Sequence, residues 1–134
     1  MRISEVMHVH LPVLSPASTV REAVDKMDIY QFPALVIVDE NRHPVAVVTE
    51  DRLAEAVKAR PLDQLSSAPA MEFADQSPRV AGVNDDVEAC LRTMVEQDIE
   101  LLPVVADGRL MGVALRVDLL QALFTALASP STED

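Results

Sequence analysis

The first half of this 134-residue chain recurs in its second half, 67 residues later, with the same spacing of apolar side chains. Each half has four such side chains at the i, i+3, i+4 and i+7 positions of one helical face: Val20, Ala23, Val24 and Met27, then Val87, Cys90, Leu91 and Met94. This spacing is typical of an amphipathic helix, and self-similarity at a fixed period is typical of a structural repeat. The sequence therefore predicts the same helix twice.

Two apolar runs follow each predicted helix. They are residues 34–38 and 44–48 in the first half, and residues 101–105 and 110–114 in the second. Short apolar runs that are separated by a polar turn are typical of buried strands. The turn is one residue longer in the first half, a difference that a loop accommodates. Each half is therefore predicted as helix, strand, turn, strand and helix.

The predicted helices begin at equivalent capping residues. Thr19 and Asp86 stand directly before Val20 and Val87, and both residue types are good N-caps. Thr19 and Glu22 also have the spacing of a capping box, in which the two side chains satisfy free backbone N–H groups. The helix starts therefore repeat together with the apolar faces.

This order of elements resembles the CBS (cystathionine β-synthase) domain, two copies of which pair into a Bateman module. The motifs that carry the resemblance are Leu102-Pro103-Val104-Val105 and Gly108-Arg109-Leu110-Met111-Gly112-Val113. The resemblance covers nearly the whole chain and implies an α/β fold, a tandem CBS-domain repeat (β-α-β-β-α twice) with pseudo-twofold symmetry. We expect one Bateman module over residues 1–134, with the first repeat in 1–60, the second in 61–128 and a flexible tail in 129–134.

The family's Gly-x-x-Thr-x-x-Asp stretch is incomplete in both copies. The first copy has Thr49 but carries Arg52 where the aspartate belongs, whereas the second has Asp118 but carries Leu115 in place of the threonine. By resemblance, the threonine contacts phosphate and the aspartate binds the ribose hydroxyls. Thr49 and Asp118 would then serve two different, symmetry-related sites.

The resemblance places an adenosine ligand more readily in the second site. Asp118 would bind the ribose, Arg116 would face a phosphate, and the base would lie against the apolar backbone around Val80, Pro103 and Val104. In the first site Glu50 and Asp51 follow Thr49 in the first helical turn and would repel phosphate. We therefore expect neutral or singly charged ligands to bind better than ATP.

Charge and composition exclude several classes of partner. The chain has 11 basic and 22 acidic residues, a net charge of −11, so nucleic acid is not an expected partner. It has no apolar run long enough to span a bilayer, so a membrane is not expected either. The single cysteine cannot form an internal disulfide, which fits a reducing cytoplasm.

The remaining chemically interesting side chains do not form a recognisable catalytic pattern. His8 and His10 are two imidazoles, too few for zinc, and we expect them to be surface or linker residues. Cys90 replaces Ala23 in the repeat and is expected in the core. Three glycines are too few for a phosphate-binding loop. We expect no enzyme activity and no metal; the only candidate cofactor is AMP or another adenosine derivative.

The last helix predicts self-association. Its apolar face is unusually broad and consists of Leu119, Leu120, Leu123, Phe124 and Leu127. Part of that face should pack on the sheet, and the rest would be in water in a monomer. CBS modules similarly pair through such helices, so we expect a homodimer.

Two functional classes remain open. In the first class, the chain is a regulatory module that senses an adenosine ligand (AMP, ADP, ATP, S-adenosylmethionine or NADH) in the cleft between the repeats and acts on an unknown regulated protein. Alternatively, it is a dimerisation or docking module that has lost nucleotide binding. A ligand screen by thermal denaturation separates the two, because only the first class is stabilised by ligand.

Overall fold

The computed structural model describes residues 1–128, and the tail that was predicted to be flexible, residues 129–134, lies outside them. The first repeat contains β1 (Val13–Leu14), α1 (Val20–Tyr30), β2 (Ala34–Val38), β3 (Pro44–Thr49) and α2 (Glu50–Ala56). A short helix, α3 (Leu62–Ser67), lies between the repeats. The second repeat contains β4 (Ala81–Gly82), α4 (Val87–Glu96), β5 (Leu101–Ala106), β6 (Arg109–Leu115) and α5 (Arg116–Ala128).

The two repeats have the same sheet topology. The strand orders are β1-β2-β3 and β4-β5-β6; in each sheet the first pair is parallel and the second antiparallel. Even the irregularities coincide, since the register shifts after Ile37 in one sheet and after Val104, 67 residues later, in the other. The predicted α/β fold with β-α-β-β-α twice is therefore confirmed.

The helix starts also repeat. The Thr19 hydroxyl accepts a hydrogen bond from the Glu22 N–H, and a Glu22 carboxylate oxygen accepts one from the Thr19 N–H at 2.8 Å. The Asp86 carboxylate caps α4 by accepting from the Ala89 N–H at 3.0 Å. The predicted face of α1 differs at one position, because Val24 is 45% exposed while the other three side chains are buried.

The β2–β3 turn is held by one side chain. The backbone N–H groups of Asn41 and His43 both donate to Asp39 Oδ1, each at 2.9 Å. The hydrogen bond from the His43 N–H is the main reason that the pKa of the Asp39 carboxyl lies below its ordinary value. Across the pseudo-twofold, the β5–β6 turn has Gly108 at φ 77°, a conformation that favours glycine.

Three apolar clusters form the core. One lies between the first sheet and its helices, and the second lies in the same place in the second repeat and includes Cys90. Burial raises the pKa of the Cys90 thiol, as expected for a core cysteine. The third cluster joins side chains of both sheets, including Val36, Val47, Leu101 and Val113. The two repeats are therefore joined by a cluster of apolar side chains from both sheets.

The segment that precedes each repeat packs on the other repeat. Ile3 is fully buried in the second core, and its N–H donates to the Asp85 carbonyl at 2.8 Å. Its counterpart, Ala70, is fully buried in the first core. Residues 1–8 thus complete the second repeat, and residues 68–75 complete the first. The exchange therefore joins each repeat to the core of the other.

The helices of residues 1–128 are short. None of them has both the length and the apolar character required to cross a bilayer.

Candidate functional site

The end of β3 and the start of α2 line a cavity between the two repeats. The cavity has a volume of about 380 Å³. The first repeat contributes Val47, Thr49 and Arg52 to its lining, and the second contributes Arg79 and residues 97–101. A ligand in this cavity would contact both repeats at once.

Thr49 holds the first turn of α2 in place. Its hydroxyl oxygen accepts a hydrogen bond from the Arg52 N–H at 3.2 Å, so Thr49 is the N-cap of the helix. The hydroxyl hydrogen remains able to donate, since a hydroxyl is both donor and acceptor. Thr49 and Arg52, which the sequence analysis assigned to the first site, therefore lie together in the cavity.

The cavity carries charges of both signs. Arg52 and Arg79 contribute two cations to its lining, while Asp51, Asp75, Asp98 and Glu100 contribute four carboxylates. Arg79 donates to the Gln97 side-chain oxygen at 3.3 Å. An excess of carboxylates disfavours a highly charged anion, and carboxylates are good acceptors for sugar hydroxyls.

Arg116 lies beside this cavity. Its guanidinium is 3.5 Å from the Asp98 carboxylate and 3.9 Å from the Glu100 carboxylate, and both acids line the cavity. The sequence analysis placed Arg116 opposite a phosphate in the second site. In the structure, its guanidinium offsets part of the negative charge of the first cavity.

Asp118 contacts a residue from the beginning of the chain. Its Oδ2 atom is 2.6 Å from His8 Nε2, and both side chains are about 40% exposed. The His8 ring in turn contacts Phe32 edge-to-face, with 5.5 Å between the ring centroids. The carboxylate expected to bind ribose is thus already hydrogen-bonded within the protein. His8, expected to be a surface or linker residue, is half-buried at this site.

The three residues expected to contact the base occupy different environments. Val80 is 40% exposed and lines a cavity of about 310 Å³ near Cys90. Pro103 is buried and pairs with Val113 in the β5–β6 hairpin. Val104 is fully buried in the second core and so has no surface for a ligand. These residues do not form one open surface with Asp118.

Sequence analysis missed several residues of the site, notably Asp75, Arg79, Asp98 and Glu100. They come from the segment exchange and from the second repeat, so no local motif marks them. The repeat offered one sequence signal for Asp75, because Asp75 lies one repeat period, 67 residues, after His8. Within residues 1–128, no three His, Cys, Asp or Glu side chains are arranged to hold a metal ion.

Comparison with known proteins agrees with this architecture. The sequence matches the CBS domain family over residues 3–59 and 70–125. An uncharacterized 17.7 kDa protein of Acidianus ambivalens is 26% identical over 125 residues, which cover 91% of this chain and 73% of that protein.

Two solved structures illustrate the similarity in fold. The AcuB protein of Vibrio cholerae superposes with a TM-score of 0.84 at 20% identity, covering 96% of this chain and 93% of that one. CBSX2 of Arabidopsis thaliana, solved in complex with AMP, superposes with a TM-score of 0.78 at 23% identity, covering 94% and 98% of the two chains. With two matched repeats that span most of its length, the chain belongs to the CBS domain family, as a CBS pair.

Proposed function

We propose that this CBS pair is a regulatory module that binds an adenosine nucleotide in the cavity beside Thr49 and Arg52. The observation that carries the proposal is the cavity itself, which is lined by both repeats and offers a hydroxyl and two arginines. A ligand that contacts both repeats favours one relative arrangement of them, because it binds that arrangement more tightly. A regulated protein that binds one arrangement of the repeats responds to this change, and no catalytic step is required.

The charges of the cavity favour a nucleoside monophosphate. Arg52 and Arg79 can each donate to a phosphate, and the Thr49 hydroxyl can add a third donor. The carboxylates of Asp75 and Asp98 suit ribose hydroxyls but repel further phosphates. AMP, the ligand in the CBSX2 structure, has one phosphate for the arginines and one ribose for the carboxylates.

The arrangement expected from the sequence has ribose on Asp118, phosphate at Arg116 and the base against the backbone around Val80, Pro103 and Val104. It stays a prediction for the second site, called the second cleft below. It requires His8 to leave Asp118, and it requires Val104 to become accessible. Binding in the cavity beside Thr49 requires neither change. An Asp118→Ala variant distinguishes the two arrangements, because it removes the acceptor from one of them only.

Calorimetry with AMP is expected to show binding that depends on Arg52. A hydrogen bond to a charged group contributes about 1.5–3 kcal/mol, so Arg52→Ala should weaken AMP binding roughly ten- to a hundredfold. Arg92→Ala is the matched control, since Arg92 pairs with Glu88 on the α4 surface. Asp118→Ala should leave the affinity unchanged, and ATP should bind more weakly than AMP.

The proposal is wrong if Arg52→Ala and Arg92→Ala bind AMP equally well, or if affinity increases with each added phosphate. The alternative, a docking module without a ligand, predicts no thermal stabilisation by AMP, ADP, ATP, S-adenosylmethionine or NADH. In contrast, a ligand present at 100 times its dissociation constant stabilises the native state by about 2.7 kcal/mol.

We also propose that the chain forms a homodimer through α5. Phe124 and Leu127 are 65% and 83% exposed, and with Val95 of α4 they border an apolar groove of about 620 Å³. The equivalent helices of the first repeat border a similar groove of about 730 Å³. Of the apolar face expected for α5, Leu119 is fully buried in the second core, and Leu123 packs against that core.

Light scattering is expected to give twice the monomer mass of 14.6 kDa at tens of micromolar protein. Phe124→Asp should give the monomer, because a buried aromatic side chain contributes about 1.5–3 kcal/mol and a buried unpaired carboxylate opposes association. Met111→Asp serves as the control, since Met111 is an exposed apolar residue of β6 that lines neither groove. A monomeric wild type, or a Phe124→Asp variant that remains dimeric, would contradict this interface.

A further inference from the structure

The pseudo-twofold relates His8 to Asp75. Both residues end the exchanged segments and form the same antiparallel bridge: His8 with Val113 and Asp75 with Val47. The His8 N–H donates to the Val113 carbonyl at 2.8 Å, and the Asp75 N–H donates to the Val47 carbonyl at 2.8 Å. Because the backbones are equivalent, the two side chains enter equivalent clefts.

The neighbours of these two residues are equivalent as well. Arg52 and Ile99 line the open cavity together with Asp75. Their counterparts in the second cleft are Asp118 and Phe32, respectively 66 and 67 residues away in the sequence. The second cleft is therefore built like the first, but His8 has its ring against Asp118 and Phe32.

We propose that the His8 side chain occupies the second cleft, and that this cleft binds a nucleoside only when the ligand displaces the His8 ring. This inference rests on the proposed function, since it extends nucleoside recognition to the second cleft. The ring of His8 offers a flat heterocycle to Phe32 and a nitrogen to the Asp118 carboxylate. A nucleoside offers the same two features, an aromatic base and hydroxyl donors.

Replacement of the His8 ring by a nucleoside requires little movement of the backbone. Both backbone hydrogen bonds between His8 and Val113 can persist while the side chain rotates to another rotamer. The two side chains, each about 40% exposed, are within reach of solvent. His8 is thus a specificity-determining residue that competes with the ligand for Asp118.

The charge of the second cleft favours an uncharged ligand. The position held by the Arg52 cation in the first cavity is held by the Asp118 carboxylate here. Arg116, the nearest cation in the sequence, is paired with Asp98 and Glu100. Adenosine, rather than AMP, is therefore the suitable probe for this cleft.

Calorimetry with adenosine tests the role of His8. We expect His8→Ala to bind adenosine at least tenfold more tightly than the wild type does, and the added Asp118→Ala substitution to remove this gain. His10→Ala is the matched control, because His10 is an exposed histidine only two residues further along the chain. His8→Ser provides a second variant of the same kind if His8→Ala does not fold.

Two results would overturn the inference: variants of His8 that bind adenosine no better than the wild type, or a gain that survives Asp118→Ala. In NMR spectra of the wild type, saturating adenosine should shift the ring signals of His8, and unmoved signals would also overturn it. The two experiments have separate readouts, because the proposal for the first cavity is decided by AMP and Arg52→Ala, whereas the role of His8 is decided by adenosine and the His8 variants.

Discussion

Replacing Ile3 with alanine is expected to destabilise the protein by about 2–5 kcal/mol, although Ile3 is only the third residue of the chain. Its side chain is fully buried in the core of the second repeat, where removal of three carbon atoms leaves a cavity. Chemical denaturation at a fixed protein concentration measures the free energy of unfolding, and Ile3→Val should lose only about 0.5–1.5 kcal/mol.

Val9→Ala is the control for this experiment. Val9 directly follows this segment and is 54% exposed, so its truncation should change the free energy of unfolding by no more than about 0.5 kcal/mol. An Ile3→Ala variant as stable as Val9→Ala would mean that residues 1–8 do not complete the second core. The segment exchange would then be wrong.

Replacing Gly112 with alanine is expected to displace the N-terminal segment from β6. A Cβ atom at this position would lie 2.6 Å from the His8 carbonyl oxygen and 2.8 Å from the Met7 sulfur. The backbone contact cannot be relieved by a side-chain rotation, so the hydrogen bonds between His8 and Val113 should weaken or break. We expect a loss of about 2–4 kcal/mol in the free energy of unfolding.

Gly82→Ala is the matched control, because its Cβ would be 3.5 Å from the nearest atom, an ordinary van der Waals contact with the Asp85 side chain. This variant should remain within about 1 kcal/mol of the wild type. Amide hydrogen exchange adds a local readout, since the His8 N–H should lose protection in Gly112→Ala. Unchanged protection together with unchanged stability would show that β6 does not hold the segment as described.

Local patterns were sufficient to predict the two longer strands of each sheet and the helices on either side of them. The predicted strands 34–38 and 101–105 differ from β2 and β5 by at most one residue at an end. The predicted caps Thr19 and Asp86 are the observed ones. These features depend on neighbours within a few residues, so the sequence contains all that they require. Helix α3 was not predicted, because six residues are too few to show a helical period.

The candidate site could be predicted only in part. Thr49 and Arg52 were identified because they belong to a continuous motif at a strand–helix junction, and both line the cavity. Arg116 and Asp118 belong to the equivalent motif, but their partners come from elsewhere: Asp98 and Glu100 precede β5, and His8 precedes the first repeat. The motif alone could not predict that His8 contacts Asp118 in the second cleft.

By itself, the sequence determined the repeat, the order of helices and strands, and the residues that begin each helix, because these follow from periodicity and capping over short distances. Only the tertiary structure decided which side chains meet across the clefts. The physical reason is the exchange of the segments that precede each repeat. It brings His8 to Asp118 and places Asp75 in the open cavity, joining residues that are far apart in the chain.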